Sequence, residues 1–189
     1  FVDVNKVGPV PVRKHKKLFC FLNNRTMAQR KELFNFFLSQ DLLDISYATY
    51  LNLTRDKIHE EFKIDKPYRN FKEDDICIDI GEDAGKFYPV HEFVFDVCVE
   101  TYCMEKSVGL TEKSIKPFLW GHIPLIFGPA GTYRYLENLG FDTFTDIIDT
   151  DFDLEQDIDV RMHRFQQEIL RLSKIPINTF DALHPRFIK

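Results

Sequence analysis

Residues 18–22, Leu-Phe-Cys-Phe-Leu, form an apolar run with no polar alternation. A strand buried on both faces has this pattern, and such strands belong to parallel sheets covered by helices. After Asn23-Asn24 the period changes. Met27, Leu33, Phe34, Phe37 and Leu38 approximate one helical face, with Thr26 as a candidate cap. Leu42 to Tyr50 then reads as a strand, so the opening is a βαβ unit.

The same alternation runs on. Phe93 to Val99 and His122 to Phe127 read as strong strands, and Phe141 to Ile148 as a site for a short last strand. Helices are expected over Thr111 to Trp120, over Thr132 to Leu139 with Gly140 as the stop, and over Glu155 to Lys174. A short helix is expected at Thr54 to Phe62, and a short strand or only a loop at Asp74 to Asp79, in a charged, irregular stretch. The fold class is α/β, a Rossmann-like three-layer domain with a mostly parallel sheet. Residues 17–175 are expected to form that domain, residues 1–16 an entry arm or the remnant of a preceding region, and residues 176–189 a C-terminal tail. With 189 residues and 44% hydrophobic side chains the chain can bury a full core, and its 19 Phe against a single Trp make that core Phe-built.

Charge and cysteine usage narrow the function. A formal net charge of −5 argues against a general nucleic-acid binder. No run approaches the roughly 18 apolar residues of a membrane span. The basic run Arg13-Lys14-His15-Lys16-Lys17 is read as a solvated strand entrance, with steering of a phosphate or an acidic partner as the other option. Cys20, Cys77, Cys98 and Cys103 match no zinc spacing. They are expected to be buried free thiols in a reducing compartment, with a location in the cytoplasm or a host-cell cytoplasm. The chain begins at Phe1 rather than Met, so the true N-terminus is expected upstream.

In parallel sheets, ligands bind beyond the carboxyl ends of the strands. Three such ends carry chemistry. At the first, Asn23, Arg25 and Arg30 offer an amide and two guanidinium groups that can clamp phosphate oxygens. At the second, Glu100 is placed to accept ribose hydroxyls or to cap a helix. Thr111 caps the following helix, and Glu112 and Lys113 lie in its first turn. A lysine there is unfavourable for the helix alone and suits a bound phosphate. Pro117, about six positions in, breaks a second local rule, and two violations in one short helix suggest a site. The third end is Gly128-Pro129-Ala130-Gly131.

The acidic stretch from Asp142 to Asp159 contains several Asp-x-Asp pairs. A calcium loop starting at Asp149 would need Gly at its sixth position and Glu at its twelfth, where Leu154 and Val160 stand. The stretch is read as a solvated helix entrance, and no metal site is expected. His122 at a strand start reads as structural. P-loop, Gly-x-Gly-x-x-Gly, Gly-x-Ser-x-Gly and His-Glu-x-x-His motifs are absent.

Glu100, then Leu110-Thr111-Glu112-Lys113, then Gly121-His122-Ile123-Pro124-Leu125-Ile126-Phe127-Gly128-Pro129 resembles the donor-binding segment of α-1,3-fucosyltransferases. The strand leading to Asn23, with Arg30 seven residues later, resembles the same family's early segment. The chain also looks like a broader set of glycosyltransferase-like proteins, several of them viral. The resemblance covers about residues 17–145. It implies the C-terminal, donor-binding lobe of a GT-B-type glycosyltransferase, taking a GDP- or UDP-linked sugar as donor and a glycan or glycoprotein as acceptor. It implies that Arg30 and Lys113 neutralise the diphosphate, that Glu112 and Glu100 face the ribose or sugar, and that no metal or tightly bound cofactor is needed. The family's catalytic base lies in its other lobe, so none is assigned. The family pattern is broken at Thr101-Tyr102 and at Gly109, where base stacking is expected; Tyr102 and Tyr133 are the candidate substitutes. A non-catalytic nucleotide- or glycan-binding module is the other reading.

Overall fold

The structure, a computed structural model, describes residues 15–23, 27–50, 92–104 and 108–181. Strands β1 (Lys17–Asn23), β2 (Ser46–Tyr50), β3 (Phe93–Val99) and β4 (Ile123–Phe127) form one sheet in the order β2-β1-β3-β4. Every pairing in it is parallel. Four α-helices accompany the sheet among the described residues: α1 (Ala28–Ser39), α2 (Glu112–Trp120), α3 (Thr132–Asn138) and α4 (Ile158–Ser173). This is the Rossmann-like α/β arrangement expected from the alternation of apolar runs and helical periods.

Strand alternation separates the two faces. Phe19, Phe21, Phe95 and Phe127 point to one side. Phe19 and Phe21 meet Phe37 of α1 at 5.7 and 5.3 Å between ring centroids, and Phe127 meets Phe165 of α4 at 5.6 Å. Cys98 points the other way, to α2. All seven residues of β3 are buried, as a central strand requires. The Phe-built core is thus a set of ring contacts between one sheet face and α1 and α4. Phe180 closes it further along the chain, edge-on to Phe95 at 5.0 Å.

Two expected strands differ. Residues 42–50 divide into a 3-10 turn at Leu42–Ile45 and the shorter β2. The turn is entered through Asp41 in the left-handed region (φ 54°), which lets Leu42 and Leu43 both point inward. Residues 141–148 hold turns and no strand. There the Asp142 carboxylate accepts from the Phe144 N–H at 3.0 Å, a side-chain turn that competes with a ladder. The last helix begins at Ile158 rather than Glu155. Asp157 caps it, accepting from the N–H groups of Asp159 and Val160.

Among the described residues β4 is an edge strand, and its outer backbone is covered by one side chain. The Tyr133 hydroxyl accepts from the Ile126 N–H at 2.9 Å and donates to the Pro124 carbonyl at 3.0 Å. This blocks further strand addition at that edge. At the other strand end His122 is buried as expected, against Phe93 with ring centroids 4.1 Å apart. Cys20, Cys98 and Cys103 are buried, with no disulfide between them; Cys77 lies outside the described residues. So do the arm at 1–14, Thr26, Arg25, and the expected elements within 51–91.

Candidate functional site

The chain leaves β1 for β2 on one side and returns to β3 on the other. The carboxyl ends of β1 and β3 therefore flank the point where the strand order reverses, the place where such sheets leave a crevice. The β1–β3 register, Phe19 beside Phe95 and Cys20 beside Asp96, carries Asn23 to the level of Val99.

Arg30 lies in the first turn of α1 and is only 3% exposed. Its Nε and a terminal nitrogen donate to the Val99 carbonyl at 3.3 and 2.8 Å. It thus reaches across β1 to the end of β3. The Asn23 N–H donates to the Thr49 hydroxyl at 3.2 Å. The Asn23 side-chain Nδ2 is buried with no hydrogen-bond partner among the described residues. An unmade buried bond of this kind costs about 1–3 kcal/mol.

Glu100 is fully buried. One carboxylate oxygen accepts from the Thr111 N–H at 2.9 Å and from the Ser114 hydroxyl, and the other accepts from the Thr111 hydroxyl at 2.7 Å. These bonds fasten the N-terminus of α2 to the end of β3. Thr111 caps α2 as expected, accepting from the Lys113 N–H at 3.3 Å. Lys113 and Glu112 sit half-buried and exposed on that first turn, with Nζ 3.6 Å from the carboxylate. A backbone hydrogen bond at its own amide, then the Lys113 charge, hold the Glu112 carboxyl below its usual range. Arg30 therefore engages Val99 from one face, while the neighbouring Glu100 holds α2 and its Lys113 on the other.

Pro117 has an internal explanation. It cannot donate to the Lys113 carbonyl four residues back. The Cys98 thiol donates there instead, at 3.0 Å. α2 ends at Gly121, whose φ of 66° suits glycine.

The Gly128 loop is closed from within. A Cβ on Gly128 would lie 2.6 Å from the Thr132 hydroxyl oxygen, so the residue allows a close approach of α3. The N-terminus of α3 is filled by Asp153, whose two oxygens accept from the Thr132 and Tyr133 N–H groups at 3.1 and 3.0 Å. Asp153 is 2% exposed, and burial pushes its carboxyl up to about 6 against those bonds. The acidic stretch is therefore not solvated throughout. The one usable sequence signal was a short helix after Gly131 lacking its own capping side chain. Among the described residues no group of three or more His, Cys, Asp or Glu could hold a metal ion. No helix among them is long and apolar enough to cross a membrane.

Arg161 of α4 carries no sequence signal, yet is buried beside the carboxyl ends. It donates to the carbonyls of Glu155, Gln156 and Cys103, the last at 2.7 Å, and lies 5.5 Å from the centroid of the Phe127 ring. Of the two candidate stacking tyrosines, Tyr133 is buried on the β4 edge, whereas Tyr102 is 59% exposed.

Fold and geometry together define a Rossmann-like α/β domain with a crevice where the strand order reverses. No known protein family, curated protein or solved structure matches this chain.

Proposed function

We propose that the domain binds a nucleoside diphosphate sugar at this crevice and is the donor lobe of a glycosyltransferase. The observation that supports it is the meeting of Arg30 and the α2 N-terminus on two adjacent residues, Val99 and Glu100. Arg30 and Lys113 supply positive charge there, and α2 adds the N–H end of a helix. The unpartnered Asn23 amide adds a neutral donor. All of these favour a diphosphate. Glu112 faces the ribose or sugar. Glu100 acts through Thr111, as a positioning residue, and the Gly128 loop shapes the β4 side. Catalysis in this reading is electrostatic: fixed cations stabilise the leaving diphosphate as an acceptor hydroxyl attacks the sugar carbon. The acceptor is a glycan or glycoprotein.

A thermal-shift screen with GDP, UDP and their sugar conjugates, with ATP as control, tests the binding. A ligand at about 100 times its Kd stabilises by about 2.7 kcal/mol. A shift selective for one nucleoside diphosphate supports the donor site, and transfer from the matching sugar donor supports the enzyme. Selective binding without transfer favours a non-catalytic nucleotide-binding module. No shift with any nucleotide contradicts both.

A further inference from the structure

Apolar and acidic side chains come together around the N-terminal end of α4. The buried Arg161 guanidinium donates to the Cys103 carbonyl at 2.7 Å and to the carbonyls of Glu155 and Gln156. It thereby pins the turn after β3 to the chain that enters α4. Large exposed apolar side chains flank each of these points. Tyr102 and Met104 stand on either side of Cys103, Leu154 precedes Glu155, and Val160 precedes Arg161 itself. Their exposures are 59%, 74%, 61% and 43%. The other large exposed apolar side chains among the described residues, Tyr135 and Leu139, lie at α3. Apolar side chains exposed singly are ordinary, whereas several held at one place mark a contact surface. Because Arg161 fixes the backbone beneath them, little main-chain order is lost when a partner docks.

The rim of this surface is acidic. Asp151, Asp157 and Asp159 are exposed and stand close in sequence to Leu154 and Val160. Glu32 of α1 adds to them, its carboxyl raised by partial burial and then by the Asp159 charge. Arg164 lies 3.4 Å from Glu155 and offsets that carboxylate. This charge selects the occupant. A second copy of the chain, meeting the surface about a twofold axis, would set like charges against each other. A nucleic acid would be repelled. We propose that the surface docks a basic polypeptide segment carrying lysine or arginine beside apolar side chains. The apolar side chains seat among Tyr102, Met104, Leu154 and Val160, and the cations face Asp151, Asp157 and Asp159. Docking there is independent of what the crevice binds.

Fluorescence anisotropy with three short labelled peptides tests it. One combines leucine and lysine in a helical repeat, the second has glutamate for lysine, and the third has serine for leucine. Wild type is expected to bind the lysine–leucine peptide and to bind the other two far more weakly. Leu154→Ser and Met104→Ser each weaken it about 5-fold or more, the loss typical of an interface side chain that carries binding energy. Asp151→Asn combined with Asp159→Asn weakens it at low salt and flattens its salt dependence. All four side chains reach solvent, so the fold tolerates these changes. Tyr135→Ser, on α3, is the control and binds as wild type. Equal affinity for the lysine and glutamate peptides overturns the proposal, as does equal loss in Tyr135→Ser and Leu154→Ser. Wild-type affinity in both Leu154→Ser and Met104→Ser overturns it, and so does failure of wild type to bind the lysine–leucine peptide. A dimer in sedimentation that Leu154→Ser dissolves assigns the surface to a second copy and also overturns it.

Discussion

The Cys98 thiol donates to the Lys113 carbonyl across 3.0 Å, and this bond replaces the one that Pro117 cannot make. Burial, then the nearby carboxylates, push the Cys98 thiol well above its ordinary range, so it stays protonated and remains a donor. Cys98→Ala should destabilise the domain by about 1–3 kcal/mol, chiefly by stranding a buried carbonyl. In a Pro117→Ala background the new N–H can serve that carbonyl, and the cost should fall. A double-mutant cycle by urea denaturation measures the coupling. Additivity within about 0.5 kcal/mol would break the link between the two residues.

Gly128→Ala should destabilise by about 1–3 kcal/mol, the usual range for overpacking. The added methyl meets the Thr132 hydroxyl at 2.6 Å, and Thr132 is itself fully buried. Thr132→Ala removes that atom at the cost of its bond to the Pro129 carbonyl. The double variant should therefore be more stable than the sum of the two single losses. Denaturant midpoints of the three variants check this.

Asp153 makes stability depend on pH in a definite direction. Its folded value is raised to about 6 by burial, against about 3.9 for an exposed Asp. Between those values the folded state holds the proton more tightly than the unfolded state. Its contribution is therefore complete below about pH 4 and is lost as pH rises through about 6. Asp153→Asn should remove this fall. Melting temperatures of both proteins from pH 4 to 7 measure the difference in slope, and parallel curves would contradict it.

Tyr133→Phe should cost about 1–3 kcal/mol, because the Ile126 N–H and Pro124 carbonyl both lose their partner. Hydrogen exchange at the Ile126 amide should accelerate with it. An unchanged exchange rate at Ile126 would mean the edge is protected by another group.

The sheet was legible because β1, β3 and β4 are buried on both faces, and that writes apolar runs into the sequence. β2 was misjudged at its start because buried Leu42 and Leu43 suit a strand and a 3-10 turn equally. Apolar character alone cannot separate the two. In the candidate site, Thr111 as a cap was readable from its place before a helix. Glu100 was readable as an acid at a strand end, with capping and ribose binding left as alternatives; its three contacts to Thr111 and Ser114 are capping contacts. Arg161 and Asp153 were hidden. Each acts on backbone groups far away in sequence, Cys103 for one and Thr132 and Tyr133 for the other, and such contacts leave no local pattern beyond the missing capping side chain at Gly131. Pro117 looked like a sign of a ligand because its compensating donor, Cys98, lies on another element.

Calorimetric titration of GDP and of UDP into wild type and Lys113→Ala tests the central claim most directly. The account predicts that one nucleoside diphosphate binds wild type and that the variant binds it about 10-fold more weakly or worse. Such a loss matches one charge-assisted phosphate contact, worth about 1.5–3 kcal/mol. Heat of dilution alone for both nucleotides, or equal affinity in the two proteins, would contradict a diphosphate site at this crevice.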